Sequence, residues 1–186
     1  MPPLPPIFGV TGWKNSGKTT LTERIIAELT ARGFTVASVK HAHHAFDIDK
    51  PGTDSFRHRE AGATETAIVG GARWAIMHEL RGDEEPSMEA IIARLSPCDI
   101  VIVEGYKREA HPKIECRRAD ARKGDPMTLS DMNIAAIASE TGSAADGTNP
   151  DGLPVFQIDD IAAICDFVGA TSGLSGARAD ANRQAG

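Results

Sequence analysis

The chain has 186 residues, of which 41% are hydrophobic and 25% charged, and its formal net charge is −6. This length and balance are typical of one globular domain and argue against wholesale disorder. The acidic charge disfavours a nucleic-acid-binding face, and no apolar run approaches the roughly 20 residues that span a bilayer. We therefore expect neither a nucleic-acid partner nor a membrane partner.

The N-terminus and the cysteines indicate a compartment. Residues 1–6 form an extended, proline-rich start without a basic region or an apolar region, so no secretory signal is predicted. The three cysteines are odd in number and far apart, which fits neither a disulfide framework nor a zinc knuckle. A cytoplasmic location is the simplest expectation, because the cytoplasm keeps thiols reduced.

The first elements in chain order predict a parallel crossover. Residues 7–12 form an apolar run typical of a strand, and a glycine-rich turn leads into a helix from about Gly17 to Arg32. Gly33 ends this helix, and a second strand is predicted over residues 34–41. A strand, loop, helix and strand within about 35 residues indicate two parallel strands of one sheet.

The remaining elements continue an α/β pattern with an inserted β-hairpin. After a polar loop at 41–55, the predictions in chain order are a helix at 56–61, hairpin strands at 64–71 and 73–80, a helix at 88–95, strands at 99–105, 113–117, 134–139 and 155–158, and a helix at 159–168. We expect one domain over residues 7–170, with a mostly parallel central sheet and flanking helices. Residues 171–186 lack periodicity and are predicted to be a disordered tail.

A phosphate-binding loop occupies residues 12–19, which read GWKNSGKT and satisfy G-x-x-x-x-G-K-[ST]. Gly12 and Gly17 permit backbone angles that let successive N–H groups curl round an anion, and the following helix adds its positive dipole. Lys18 can reach the β- and γ-phosphates, and the Thr19 hydroxyl can ligate Mg²⁺. The alternative is a glycine turn that only joins a strand to a helix. The predicted nucleotide contacts are Gly12, Trp13, Lys14, Asn15, Ser16, Gly17, Lys18, Thr19 and Thr20.

An acidic residue at the carboxyl end of a neighbouring buried strand would complete such a site. Glu104 ends the predicted strand and could hold Mg²⁺ directly or through water, whereas Asp99 lies at the opposite end. The alternative is a strand-end carboxylate that faces solvent. Thr19 and Glu104 are thus the predicted magnesium ligands, and Lys18 and Glu104 the predicted catalytic residues.

The polar loop carries a second set of candidates. Its histidines could bind a transition metal, contact a nucleotide or a partner, or lie inert on the surface. Its aspartates could approach the Mg²⁺ or orient a water at the ligand-binding edge of the sheet, or stabilise N–H groups of a solvated turn. The candidate residues of this switch or partner loop are Lys40, His41, His43, His44, Asp47, Asp49 and Asp54.

Two further features bear on ligands. No N-K-x-D base-reading motif occurs, and the segment 138–140, which ends in Glu140, follows a strand where many such folds contact the base. On the hairpin, Arg73 and Trp74 are candidates for a partner surface, with packing as the alternative for Trp74.

With these residues in place, the chain resembles the MobB family, the molybdopterin-guanine dinucleotide biosynthesis adaptor proteins. The resemblance covers about residues 7–168, and residues 39–63 are its most family-specific part. The matching stretches are 12–21, 39–63, 73–80, 102–109, 113–115 and 134–140. The resemblance implies a P-loop NTPase fold.

The resemblance also implies a function. Such proteins are GTP-binding homodimers with slow GTP hydrolysis that assist MobA, the nucleotidyltransferase joining GMP to molybdopterin. The implied triphosphate contacts are Lys14–Thr20, the implied ligands are GTP and Mg²⁺, and residues 41–54 become an active-site or partner loop. Many relatives in the wider branch place a lysine directly after the first loop glycine to reach across a dimer. Here that position is Trp13, and the lysine follows as Lys14.

Three functions are compatible with these observations. The first is a GTP-binding adaptor with weak GTPase activity, favoured because the sequence shows no obvious general base or arginine finger, whose lack can cost ~10³–10⁵ in rate. The second is a small-molecule kinase or ligase that uses ATP or GTP and positions an acceptor with Asp47 or Asp49. The third is a scaffold whose nucleotide only stabilises the fold.

Overall fold

The computed structural model describes residues 3–42, 46–119, 121, 124–144 and 148–174. The chain divides into two compact units, of which the first comprises residues 1–41 and 92–186 and the second comprises residues 42–91. In chain order the elements are β1 (Ile7–Thr11), α1 (Lys18–Ala31), β2 (Val36–Lys40), α2 (Asp54–Glu60), β3 (Glu65–Val69), β4 (Trp74–His78), α3 (Met88–Ile92), β5 (Ile100–Glu104), β6 (Lys113–Arg117), a 3₁₀ turn (Met127–Leu129), β7 (Ile134–Ser139), β8 (Val155–Gln157) and α4 (Ile161–Ser172).

The first unit is built around a six-stranded parallel sheet with the strand order β2-β5-β1-β6-β7-β8. All five residues of β5 are buried, as its continuous apolar run predicts for a central strand. The register pairs Val10 with Glu104 and Lys40 with Glu104, so the carboxyl ends of three strands lie side by side. Ligands of open α/β sheets bind at this edge.

Helices α1 and α4 pack together against the sheet. Leu21, Ile25 and Leu29 recur at helical spacing and are fully buried, which explains why this stretch forms an amphipathic helix. Phe8 of β1 meets Phe167 of α4 edge to face, with ring centroids 6.3 Å apart. Among the described residues, no helix combines the length and the apolar character that crossing a membrane requires.

The second unit contains α2 and an antiparallel two-stranded sheet. β3 pairs with β4 in a register that places Val69 opposite Trp74 and Ala67 opposite Ile76. Side chains alternate between the faces of a strand, so these four residues lie on one face of the hairpin. The predicted β-hairpin is therefore present.

The fold class predicted from the sequence is confirmed, with corrections at the ends of three helices. Helix α2 begins at Asp54, two residues before the predicted start. Helix α3 ends at Ile92 rather than at residue 95, and a turn follows in which the Leu95 N–H donates to the Ile92 carbonyl.

Helix α4 extends past its predicted end at residue 168. It includes Thr171 and Ser172, the first two residues of the predicted tail, and stops at the left-handed Gly173. Leu174 donates its N–H to the Gly169 carbonyl and packs against the core, which is a common way to end a helix. Such an ending leaves no hydrophobic periodicity in the sequence, so the last turn of α4 was not predicted. The rest of the predicted tail, residues 175–186, lies outside the described residues.

Candidate nucleotide-binding site

The backbone of the phosphate loop forms a tight cradle after β1. Gly12, Asn15 and Gly17 have φ angles of 146°, 65° and 90°, so three residues of the loop have positive φ. A Cβ on Gly12 would lie 2.5 Å from the Ser16 Oγ and 2.6 Å from the Cys116 carbonyl oxygen. Among the described residues, the buried Ser16 Oγ has no hydrogen-bond partner. This loop therefore has the positive φ angles and the close packing that an anion-binding turn requires.

Cys116 supports the loop from β6. Its thiol donates to the Ser16 carbonyl over 2.9 Å, and burial raises the pKa of this thiol to about 12. The thiol therefore stays neutral at physiological pH and can act as this donor. Sequence reasoning missed this role, because a lone cysteine in a strand does not reveal which residues it faces.

Lys18 turns into the cradle at the first residue of α1. Its Nζ donates to the Trp13 carbonyl over 2.6 Å. Burial, followed by the charge of Lys107, lowers the pKa of this lysine. Both causes disfavour a cation, so an anion bound in the cradle would relieve the cost of keeping Lys18 charged.

The predicted magnesium pair comes together. The Thr19 Oγ1 donates to the Glu104 Oε1 over 3.0 Å, and the Lys40 Nζ lies 3.2 Å from the same oxygen. Glu104 is only 8% exposed, so it is not the solvent-facing carboxylate of the alternative interpretation. A hydroxyl and a carboxylate in contact are the oxygen ligands that Mg²⁺ prefers, and the residues present therefore fit this ion.

Trp13 and Lys107 form a wall beside the loop. The Trp13 Nε1 donates to the Asp125 carbonyl over 2.9 Å, and the Lys107 Nζ lies 4.6 Å from the centre of the indole ring. This distance is typical of a cation–π contact. Sequence reasoning missed Lys107, although it follows Glu104 by only three residues within a stretch that carries the resemblance.

The chain matches a family of known proteins over most of its length. A family model described as "MobB: Molybdopterin guanine dinucleotide synthesis protein B" matches residues 7–140. This chain belongs to the MobB family. It is 34% identical over 165 residues to an Escherichia coli (strain K12) protein named "Molybdopterin-guanine dinucleotide biosynthesis adapter protein", with 88% of this chain and 91% of the relative covered. A Haemophilus influenzae protein of the same name is 36% identical over 165 residues, with coverages of 88% and 87%.

Solved structures of the MobB family share the fold. The MobB crystal structure from Bacillus subtilis matches with a TM-score of 0.70 and 28% identity, and covers 90% of this chain and 98% of that one. A MobB homologue from Bacillus stearothermophilus matches with a TM-score of 0.66 and 25% identity, and covers 91% and 99%. The resemblance inferred from sequence motifs is thus confirmed.

The family-specific loop after β2 is divided between the two units. His41 lies beside Tyr106, with ring centroids 4.8 Å apart, while His43 and His44 lie outside the described residues. In the part of the chain that the structure describes, no cluster of three or more His, Cys, Asp or Glu residues could hold a metal ion.

The loop aspartates have a defined partner within the second unit. Arg59 binds the Asp47 Oδ1 over 2.8 Å, the Asp49 Oδ2 over 3.2 Å and the Glu79 Oε1 over 2.7 Å. Burial raises the pKa of Asp47, but hydrogen bonds from the Asp49 backbone and from Arg59 outweigh it and leave this pKa lowered. Asp54 is the first residue of α2. Sequence reasoning missed Arg59, because its partners are 10 to 20 residues away.

The other predicted contacts lie around the cradle. Lys14 and Asn15 are exposed at the loop tip, and Thr20 is exposed on the first turn of α1. Thr20 and Gly17 also line a cleft with Arg118 and Glu140. Neither the phosphate-loop pattern nor the strand-end acid identifies Arg118, so sequence reasoning missed it.

Proposed function

We propose that this protein is a GTP-binding adaptor with weak GTPase activity, acting in molybdopterin-guanine dinucleotide biosynthesis. The carrying observation is the cradle of residues 12–19 with Lys18 turned into it and Thr19 in contact with Glu104. Relatives that match over almost their whole length are named as adapter proteins of this biosynthesis.

The donor set suits a magnesium–triphosphate ligand. The loop N–H groups and Lys18 would bind phosphate oxygens, while Thr19 and Glu104 would hold Mg²⁺. When bound, the ion would offset negative charge on the phosphates. Slow turnover is expected because the sequence offers no obvious arginine finger, and positioning alone leaves most transition-state charge unstabilised.

We further propose that the protein is a homodimer that assists a MobA-type guanylyltransferase. One face of the hairpin carries Val69, Trp74 and Ile76, which are 79%, 66% and 56% exposed. Large apolar side chains grouped on one exposed face are typical of protein–protein contact. We assign this face to the contact between two copies of the chain.

The test is molybdopterin-guanine dinucleotide synthesis by purified MobA at limiting GTP, with and without this protein. We expect the wild-type protein to raise the rate and Lys18→Ala to abolish the increase. The matched control is Arg94→Ala, which removes an exposed cation elsewhere and should leave the increase intact.

Two outcomes would contradict the adaptor function. Unchanged synthesis on adding the wild-type protein would count directly against it. If Lys18→Ala instead retained the increase but lost the thermal stabilisation by GTP, the nucleotide would serve only the fold, as in the scaffold hypothesis.

The kinase or ligase alternative has less support from the described residues. In this hypothesis Asp47 or Asp49 positions the acceptor molecule. In the structure, however, Arg59 binds both carboxylates. We therefore do not propose this alternative.

A further inference from the structure

A cleft of about 250 Å³ adjoins the phosphate loop on the side away from Glu104. It is lined by Gly17 of the phosphate loop, by Thr20 on α1, by Arg118 after β6, by Glu140 after β7 and by Asp159 after β8. All these residues belong to the first unit. The cleft therefore shares its near wall with the phosphate cradle.

The sheet order shows which end of a nucleotide would face this cleft. β5, which carries Glu104, lies on one side of β1, whereas β6, β7 and β8 lie on the other. Thr19 contacts Glu104 and so marks the end where the metal and the terminal phosphate would lie. A nucleotide held in the cradle would then extend its ribose and base toward the cleft at β6–β8.

Glu140 is held in a fixed orientation at this end. Its Oε1 accepts from the Arg118 Nε over 2.9 Å, and its Oε2 accepts from the Ala119 N–H over 2.9 Å. The Ala119 bond and then the Arg118 bond lower the pKa of Glu140, so it is an ionised acceptor at neutral pH. A carboxylate offers about four acceptor sites, and these two bonds occupy one on each oxygen.

The chemistry of this acceptor discriminates between purines. Guanine presents two adjacent donors, the N1–H and the 2-amino group, which a carboxylate can accept side by side. Adenine presents a 6-amino donor next to the N1 acceptor, whose lone pair would face a negative oxygen. Leaving such groups unpaired penalises the wrong ligand more than a lost apolar contact does.

Arg118 supplies a wall for the base. A Cβ placed on Gly17 would lie 2.8 Å from the Arg118 Cδ, so the arginine side chain crosses the loop before it reaches Glu140. Guanidinium planes stack on flat aromatic rings, and the absence of a Cβ at residue 17 makes room for this crossing.

We propose that Glu140 is the residue that selects guanine, by accepting the N1–H and the 2-amino group of the base in this cleft. The proposal rests on the proposed function, since it assumes that the phosphate loop holds a nucleoside triphosphate. The proposal therefore explains how this chain could select GTP over ATP although its sequence contains no N-K-x-D motif.

The experiment is an equilibrium titration of the full-length protein with GTP, ATP, XTP and inorganic tripolyphosphate in the presence of Mg²⁺. We expect the wild-type protein to prefer GTP to ATP. Glu140→Gln should weaken GTP binding by about 10- to 100-fold, the usual value of a two-bond base contact. Binding of ATP and of tripolyphosphate should change little, while XTP should gain because its 2-oxo group can accept from the glutamine amide.

The matched control is Glu23→Gln, the same change at an exposed glutamate of α1 that does not line the cleft. This variant should keep the preference for GTP. If Glu140→Gln keeps the preference, or if Glu23→Gln removes it to the same extent, Glu140 is not the selecting residue.

Failure of the inference and failure of the proposed function give different results. Equal wild-type affinities for GTP and ATP would overturn the role of Glu140 and leave a phosphate-binding loop intact. A wild-type protein that binds neither triphosphates nor tripolyphosphate would overturn the proposed function, and the inference with it.

Discussion

Two glycines of the phosphate loop are required for different reasons. Gly12 has a φ of 146°, and a Cβ there would meet a side-chain oxygen and a backbone carbonyl of the packed interior. Gly17 has a φ of 90°, but its Cβ would meet only the flexible stem of Arg118. A backbone carbonyl in a central strand has little room to move, so position 12 is the less tolerant of the two.

We predict that Gly12→Ala lowers the free energy of unfolding by about 1–3 kcal/mol, the usual cost of a strained backbone at a functional site, and abolishes GTP binding. Urea denaturation and calorimetric titration measure the two effects. Gly71→Ala is the control, because no atom lies within 4 Å of its added Cβ and Gly71 is not among the positive-φ glycines. Similar losses in both variants would contradict the argument.

A second prediction at this scale concerns Glu104. Glu104→Gln keeps the size of the side chain but removes the charge next to Thr19, so the apparent Mg²⁺ affinity of the GTP complex should fall about 10- to 100-fold. GTP titrations at a series of Mg²⁺ concentrations measure it. Asp99→Asn changes the acid that precedes the same strand and should leave the Mg²⁺ dependence unaltered; an unaltered dependence in Glu104→Gln would refute the assignment.

At the scale of elements, Arg59 of α2 connects the loop aspartates to the residue that follows β4. It binds Asp47, Asp49 and Glu79, and the Asp49 side chain is only 4% exposed. Its bond to Glu79 and then its bond to Asp47 keep the pKa of Arg59 raised, with burial opposing them. This arrangement gives the family-specific loop a structural role of its own.

We predict that Arg59→Ala speeds amide hydrogen exchange at residues 46–50, because it removes two of the side-chain bonds that hold this segment to α2. Mass spectrometry of deuterium uptake measures the change. Arg57→Ala, on the same helix and outside this cluster, should leave the exchange unchanged. If Arg59→Ala leaves the exchange at 46–50 unchanged but removes MobA stimulation, the arginine serves a partner and not the loop.

At the scale of the whole molecule, the proposed dimer depends on the hairpin face. Val69 and Trp74 are directly opposite each other in the register, and both are more than half exposed. Two such faces brought together would remove apolar area from water on both copies, at roughly 25 cal/mol per Å².

We predict that Trp74→Ser shifts the protein from dimer to monomer, since it removes the largest apolar side chain of this face. Sedimentation equilibrium at several concentrations reports the mass. Met132→Ser is the control, because Met132 is 99% exposed and belongs to the first unit. A monomeric wild type, or a Trp74→Ser variant that remains dimeric, would refute the assignment of this face.

Local patterns in the sequence were sufficient for most of the fold. The strands from β1 to β8 and the hairpin follow from apolar runs and turn residues, which depend on neighbouring positions only. Helix ends were less well predicted, because the end of α4 depends on Leu174 packing against the core. That contact is tertiary.

The phosphate loop and Glu104 could likewise be predicted from the sequence, since each is a short pattern whose spacing is set by the chemistry of phosphate and metal binding. Contacts between distant residues could not. Cys116 meets Ser16 across 100 residues, and Arg118 meets Glu140 across 22, so neither pair leaves a local pattern. The sequence by itself thus determined an α/β protein of the MobB family that carries a phosphate-loop motif. Only the tertiary structure decided which residues surround the phosphate loop, because parallel strands bring their carboxyl ends together whatever their separation along the chain.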